Sequence, residues 1–311
     1  MKETIAFLKK NRVTQFFLSI FRSLYFLPYL YYSKKWKLNI LSPLSTVKNI
    51  NAKKLSVARF GDGEFNIIFR KKGIGFQPYS QELSCDLLNV LVKEKTGLKV
   101  GIPHGYRSVS HDKFRVKAFW WSYVVKHHKD ILNFVSKSNS QEYLDTNFTR
   151  TITELRDKKY INSVMTSIKN IWREKQVLIV EGSGTRFGSE NSLLSNAKSV
   201  SRIIAPAVNA YGKIDEIRVA MKAFLIQQKK LDDVVVLIAL GPTATVLAGE
   251  FGGMVQTVDI GHLDLQYEYL QKGFYKKVKI ETRYDNEMVN GFVYVTNNDK
   301  KYDSEIIDII S

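Results

Sequence analysis

A strand-like run, Ser56-Val57-Ala58-Arg59-Phe60, leads into Gly61-Asp62-Gly63-Glu64, where one glycine separates two carboxylates. In extended backbone, residues i and i+2 point the same way, and Gly63 lets the chain bend or approach a ligand closely. Two oxygen donors on a strand-end loop suit a hard divalent cation, Mg²⁺ or Mn²⁺, completed by water and by the oxygens of a bound diphosphate. Such a cation neutralises a departing diphosphate. Asp62-Gly63 also has the composition of a tight turn, the commonest use of that dipeptide.

Three further loops carry related groups. Val180-Glu181-Gly182-Ser183-Gly184-Thr185-Arg186-Phe187-Gly188 follows another apolar run and leads into Ser189-Glu190-Asn191-Ser192, a polar segment composed like a helix start. Exposed N–H groups there can hold phosphate, and Arg186 can grip it through two parallel hydrogen bonds. The spacing is neither the dinucleotide fingerprint nor a P-loop, and an ordinary strand-to-helix turn with a surface arginine is the alternative. Leu240-Gly241-Pro242-Thr243-Ala244-Thr245 puts hydroxyls where a helix begins. Thr243 is the natural N-cap, and the same helix end can meet a nucleotide. In Asp259-Ile260-Gly261-His262-Leu263-Asp264 a histidine sits among acids, so His262 or Asp264 could take the proton of an acceptor hydroxyl. His104, His111, His127 and His128 have no such company and read as surface or packing residues.

The elements that must position these loops follow an α/β pattern of short β-branched runs, turns and longer helical stretches. Strands are expected at 54–60, 98–103, 176–181, 201–206, 234–240 and 255–260, and helices at 81–94, 114–135, 160–172, 215–228 and 244–249. The all-apolar Val234-Val235-Val236-Leu237-Ile238-Ala239-Leu240 predicts a central strand buried on both faces. The fold class is therefore α/β, a Rossmann-like, mostly parallel sheet flanked by helices over 49–311, with ligands bound beyond the carboxyl ends of the strands.

At 311 residues, 44% hydrophobic and 25% charged, the composition excludes a mostly disordered, collagenous or polytopic membrane chain. Forty-seven Lys and Arg against 30 Asp and Glu leave a net charge of +17, which attracts anions. Cys85 is the single cysteine, so neither an intrachain disulfide nor a cysteine-rich zinc site forms, and a reducing cytosol is expected. The basicity concentrates in an N-terminal arm, residues 1–48, where the only acid is Glu3. Its aromatic run, Phe16 to Tyr32, is interrupted by Arg22 and Pro28. A spanning helix wants about 20 unbroken apolar residues, and a central arginine costs roughly 2.5 to 3.5 kcal/mol. Two readings stay open: a helix lying on an anionic membrane surface, or one packed on the main domain.

Taken in this order, the four segments resemble the GT-D type of glycosyltransferase, a family first catalogued as a domain of unknown function. The matching residues are Ala58-Arg59-Phe60-Gly61-Asp62-Gly63-Glu64; Glu181-Gly182 with Thr185-Arg186-Phe187-Gly188 and Asn191; Pro206 with Asn209-Ala210-Tyr211; and Leu240 to Ala248 with Asp259 to Asp264, Tyr267 and Glu268. The resemblance implies a Rossmann-like fold, a divalent metal on the Asp-x-Glu motif, and transfer of glucose or a related hexose from a UDP donor. Asp62 and Glu64 inherit the metal role. Arg59, Gly61, Gly182, Thr185, Arg186, Asn191, Asn209, Gly241 and Thr243 are the expected donor-binding positions, with His262 and Asp264 beside them for proton transfer. Ser192 departs from the pattern, because an acid commonly follows that asparagine. The expected acceptor is a hydroxyl of a glycan, glycoprotein or lipid-linked oligosaccharide, and the expected location is cytoplasmic, peripheral on the inner membrane face under the first of the two readings of the arm. A non-enzymatic protein binding nucleic acid or membrane is the competing reading, though no zinc-finger spacing or RNA-recognition signature accompanies the charge. A nicotinamide-dependent dehydrogenase is disfavoured by the missing glycine spacing.

Overall fold

The computed structural model describes residues 12–93, 95–138, 140–288, 291, 294–295 and 298–311. Lys2, Glu3, Lys9 and Lys10 of the arm, and Glu94 at the end of one expected helix, lie outside the described residues. Eight strands form one sheet: β1 (Ser56–Arg59), β2 (Leu98–Ile102), β3 (Leu144–Asp145), β4 (Gln176–Gly182), β5 (Ser199–Ala205), β6 (Val234–Ala239), β7 (Gln256–Asp259) and β8 (Ile306–Ile309). Their order is β3-β2-β1-β7-β6-β4-β5-β8, and neighbours pair in parallel. All strand-end loops on the carboxyl side therefore open along one edge.

Strand β6 has the expected double burial. Val234, Val236 and Ile238 face one core, and Val235 and Leu237 face the other, the two-residue alternation of a central parallel strand. The first core lies under α4 (Asp62–Arg70), α5 (Gln81–Val92), α6 (Phe114–Lys137), α9 (Ile214–Ile226) and α10 (Pro242–Phe251), through Phe65, Leu87, Trp120, Ile217 and Leu247. The second lies under α3 (Pro43–Lys53), α8 (Lys158–Ile168) and α11 (Leu263–Gln271), through Val47, Ile161 and Leu263. The short helices α7 (Thr151–Glu154) and α12 (Lys300–Glu305) flank the site loops described below. The boundary expected after residue 48 falls inside α3, whose Val47 and Ile50 are fully buried. The arm ahead of it consists of α1 (Arg12–Ser23) and α2 (Phe26–Lys35), both packed along α6. No helix among the described residues is long and apolar enough to cross a membrane.

The helix expected after β4 does not form. Residues 183–198 run from β4 to β5 as turns, while Phe187, Leu193 and Leu194 are buried in the second core where a crossover helix would pack. A charged cluster fixes this arrangement. Glu181, fully buried at the end of β4, accepts from Arg202 Nη1 at 2.8 Å, from Tyr302 Oη at 3.1 Å and from the Phe187 N–H at 2.7 Å. Arg202 also donates to Glu305 at 2.8 Å and to the Phe187 carbonyl at 2.8 Å. Removing one member of such a buried set leaves an uncompensated charge, a loss of about 3 to 5 kcal/mol. Glu181→Ala is expected to destabilise the chain by about 3 kcal/mol or more, read as a lower urea midpoint at unchanged m-value.

Candidate active site

Five strand-end loops, those after β1, β4, β5, β6 and β7, meet at the carboxyl edge, and a loop that the sequence did not single out ties three of them together. Residues Gly73 to Tyr79 fold into a narrow turn in which the Ile74 and Gln77 backbones bond each other at 2.8 and 3.2 Å. Ile74 lies against Gly63 after β1, and the Phe76 ring covers Gly241 after β6. Asn209, at the end of the β5 loop, donates its N–H to the Phe76 carbonyl at 2.7 Å and accepts from Gln77 Nε2 at 2.9 Å. Gln77 in turn accepts from the Tyr211 N–H at 3.2 Å. The strap thus spans the edge from β1 to β5. Only its density of glycine and proline, Gly73-Ile74-Gly75-Phe76-Gln77-Pro78, marks it in the sequence.

Asp62 and Glu64 are not an extended pair. They occupy the first turn of α4, where residues two apart point in nearly opposite directions. Gly61 is the N-cap, and Glu64 reaches back to accept its N–H at 2.7 Å, the acidic half of a capping box. The acids also complement the positive end of the helix dipole. Asp62 is exposed and Glu64 buried. Burial pushes Glu64 up to about 7, with Asp259 adding to the rise and the helix N–H groups and Arg59 opposing it. Among the described residues no three His, Cys, Asp or Glu side chains gather as a metal site. Of the expected metal pair, Asp62 alone presents its carboxylate to solvent, while the buried Glu64 carboxylate is turned back onto the Gly61 N–H, so the two do not face one point as the sequence spacing suggests.

Arg59 ends β1 and is committed to the protein. Its Nη2 donates to Asp259 at 2.9 Å, and its Nη1 to the Thr146 carbonyl at 3.1 Å and Thr149 Oγ1 at 2.8 Å. Thr245 of α10 donates to the Arg59 carbonyl at 2.8 Å. Gly261 sits against this guanidinium at φ +45°, where a Cβ would lie 2.0 Å from Nη2, so only glycine allows the approach. Gly241, at φ +56°, is the N-cap of α10 in place of the expected Thr243. Thr243 is fully buried two positions further in, with its hydroxyl unpartnered.

His262 and Asp264 are both at the start of α11 but differ in freedom. The Asp264 carboxylate is consumed: Oδ1 accepts from the Gly188 N–H at 2.7 Å and Asn191 Nδ2 at 3.1 Å, and Oδ2 from Arg283 Nε at 2.7 Å. Asn191 also donates to Glu268 at 2.7 Å. Asp264 and Asn191 therefore hold the β4–β5 loop in place. Arg186 is likewise turned inward: at φ +50° its guanidinium stacks 4.6 Å from the Tyr302 ring and bonds Ser189 at 3.3 Å. Gly182 closes β4, and Thr185 turns back with its N–H on the Gly182 carbonyl at 2.9 Å. His262 is neutral by its bonds: Nδ1 faces an Arg150 N–H at 3.2 Å, so Nε2 carries the hydrogen donated to Asn286 Oδ1 at 3.1 Å. Burial lowers its pKa, and Arg150 pushes the same way against the pull of Glu287. Arg150 itself is gripped by Glu287 at 2.8 and 3.0 Å and by Glu154 at 3.0 Å.

His104, expected to be a packing residue, is instead charged and enclosed. Just past β2, its Nδ1 meets Asp145 at 2.9 Å and its Nε2 meets Asp112 at 3.0 Å, and both acids are buried. They lie 41 and 8 residues away, beyond the reach of any local sequence pattern.

A parallel α/β sheet whose glycine-bearing loops collect at one carboxyl edge is the architecture of nucleotide-dependent enzymes. The family described as Glycosyltransferase GT-D fold matches residues 57–288, and the chain belongs to it. A "Probable glycosyl transferase Gly" of Streptococcus gordonii is 31% identical over 276 residues, 87% of this chain and 39% of that protein. "Glycosyltransferase GlyD" of Streptococcus pneumoniae serotype 4 is 29% identical over 255 residues, 81% of this chain and 30% of that protein. The chain thus spans under half the length of these relatives. A solved structure of the domain of unknown function 1792, described as having a distinct glycosyltransferase fold, superposes with TM-score 0.82 at 27% identity, over 92% of this chain and all of that one. A second, a glycosyltransferase of Streptococcus sanguinis, gives TM-score 0.78 at 28% identity over 88% of this chain and all of that one.

The histidine cluster yields a pH dependence. Burial alone would lower the His104 pKa, but Asp145 and Asp112 outweigh it and hold it well above the ordinary 6.5. A raised folded-state pKa contributes stability that is complete below 6.5 and is lost as pH rises through the folded value. The wild-type stability should therefore decline as pH climbs from 6.5 toward that value, and His104→Gln should remove this component; unfolding midpoints across that range are the check.

Proposed function

We propose that the protein transfers a hexose, glucose in the first instance, from a UDP-sugar to a hydroxyl of a glycan, glycoprotein or lipid-linked oligosaccharide. The observation that carries this reading is the convergence of the β1, β4, β5, β6 and β7 loops at one carboxyl edge in a chain of the GT-D family. The N-termini of α4 and α10 both begin at that edge, and their dipoles and unpaired N–H groups favour an anion such as the donor diphosphate. Mg²⁺ or Mn²⁺ brought with the donor would be held by the exposed Asp62, and by Glu64 once its carboxylate is released from the Gly61 N–H; when bound it supplies charge neutralisation of the leaving diphosphate. Arg59 orients the β1 and β7 ends, since both its Nη groups are engaged within the protein. His262, neutral and at the same edge, is the group suited to take the acceptor proton if the reaction inverts, once its Nδ1 is released from Arg150. Asp264 holds the β4–β5 loop. A single exposed Cys85 accords with action in a reducing cytoplasm, where sugar nucleotides are made.

A panel of UDP- and GDP-sugars with Mn²⁺, followed by nucleotide release with and without chelator, tests this reading. UDP-glucose is expected to turn over, and Asp62→Ala to lose about 100-fold or more in kcat/KM. Glu64→Gln keeps an acceptor for the Gly61 N–H while removing the charge, so a loss there with an unchanged melting temperature separates metal holding from helix capping. Absence of turnover with every donor overturns the proposal.

The depressed pKa of His262 sets a second expectation. A base works above its pKa, so the acid limb of kcat/KM should lie below pH 6.5 and vanish in His262→Asn.

A further inference from the structure

One face of the N-terminal arm is apolar and uncovered. Phe16, Ile20 and Leu24 recur at four-residue spacing beside Phe17 and Phe21, all between 47% and 72% exposed. Leu27 and Tyr31 continue the ridge along α2. Phe26 extends it toward the start of α6, meeting Trp121 at 5.1 Å, and the exposed Phe114 meets the same Trp121 at 6.1 Å. The opposite side of α1 packs on α6, with the Arg22 guanidinium 5.9 Å from the Phe119 ring.

The chain that forms the ridge carries charge of one sign, and the acid that approaches it from elsewhere is Glu142, bonded by Asn39 at 3.5 Å. Residues 12–53 contain seven Lys or Arg and no acid. Beside it, Lys34, Lys37 and Arg107 line an open cavity of about 430 Å³ together with Leu38, Asn39 and Ile40, without a carboxylate. Arg107 follows His104 at the carboxyl end of β2, so the cavity borders the edge where the strand-end loops open.

We propose that this face docks the protein on an anionic bilayer, with the ridge of α1 and α2 in the headgroup and acyl boundary and Lys34, Lys37 and Arg107 receiving lipid phosphates. A bilayer offers both complements at once, hydrocarbon for the aromatic ridge and negative charge for the cations around it. A second copy meeting the same face would bring like charges together. A nucleic acid would satisfy the cations but leave an aliphatic and aromatic ridge in water. The docking is independent of donor chemistry; joined to the proposed transfer, it brings the catalytic edge to acceptors presented at a membrane.

The test is co-sedimentation of the full chain with vesicles of phosphatidylcholine alone or of phosphatidylcholine with phosphatidylglycerol, read without any sugar nucleotide. The chain should bind the anionic vesicles preferentially, and added salt should weaken binding. Phe17→Ser/Phe21→Ser should lower partitioning at least about tenfold. Lys34→Ser/Lys37→Ser/Arg107→Ser should erase the preference for anionic lipid. These side chains are exposed, so unchanged circular dichroism and melting temperature confirm that the variants remain folded. Equal sedimentation of the native chain and Phe17→Ser/Phe21→Ser would overturn the proposal. So would a dimer in sedimentation velocity that this variant dissolves while vesicles bind neither protein, which assigns the face to a second copy.

Discussion

The sheet has a seam between β1 and β7, and the candidate active site depends on how it is closed. Strands β4, β5 and β6 pair over many residues, whereas β1 and β7 share a single registered pair, Val57 with Val258. Side chains supply what the ladder lacks. At the amino end, Ser56 Oγ donates to the Gly252 carbonyl at 2.9 Å and accepts the Thr257 N–H at 3.0 Å. At the carboxyl end, Arg59 and Asp259 meet at 2.9 Å while Asp259 also accepts the Gly261 N–H at 3.1 Å. Burial raises the Asp259 pKa and Arg59 draws it back, so the pair holds a charge that neither strand could keep alone. Gly261 and Thr245 rest on this pair, and through them α10 and α11 take their starting positions.

Much of this fold is legible in the sequence because its strands are hydrophobic on both faces. A run such as Val177-Leu178-Ile179-Val180 needs no partner to be recognised, and its alternation between cores follows from the period of the strand. The elements that were not anticipated are short or depend on distant partners. Strand β3 is two residues long. Strand β8 is an edge whose Ile307 and Ile309 are exposed around Asp308, a pattern that reads as a polar tail until β5 is beside it. Helix α4 was hidden by glycine: Gly61 and Gly63 suggest a turn, but Phe65, Ile67 and Ile68 are core residues that reward a helix.

At the site, types of residue were readable and their employment was not. Glycines, hydroxyls and acids do gather at the carboxyl edge, as motif order implied. Yet Asp264 and Asn191, with the chemistry to bind a ligand, are engaged inside the protein, and Arg186 and Arg59 turn their Nη groups inward while each leaves a buried Nε unpartnered. Such commitments are made between loops far apart in sequence, as when Arg283 reaches Asp264 and Ser189 in one step. His104 shows the converse: an apparently isolated histidine is set between two buried aspartates, Asp112 from the far end of its own loop and Asp145 from the end of β3.

The same commitments explain why the arm dominates the exterior electrostatics. Glu64, Asp112, Asp145, Glu181, Asp259, Asp264 and Asp285 are buried, against Arg186, Arg202 and Arg283. Buried acids outnumber buried arginines among the described residues, so the charge that solvent meets is more basic than the composition suggests. Interior acids such as Asp259, Glu181 and Asp264 are offset by the arginines bonded to them, whereas exposed lysines act over about a Debye length, ~8 Å at physiological ionic strength. Cations on α2 and the β2 loop, with no acid in the chain from 12 to 53, therefore set the field on that side of the molecule. The apolar ridge of α1 and α2 lies within that field. A surface that combines the two is poorly matched to water and well matched to an interface carrying negative charge.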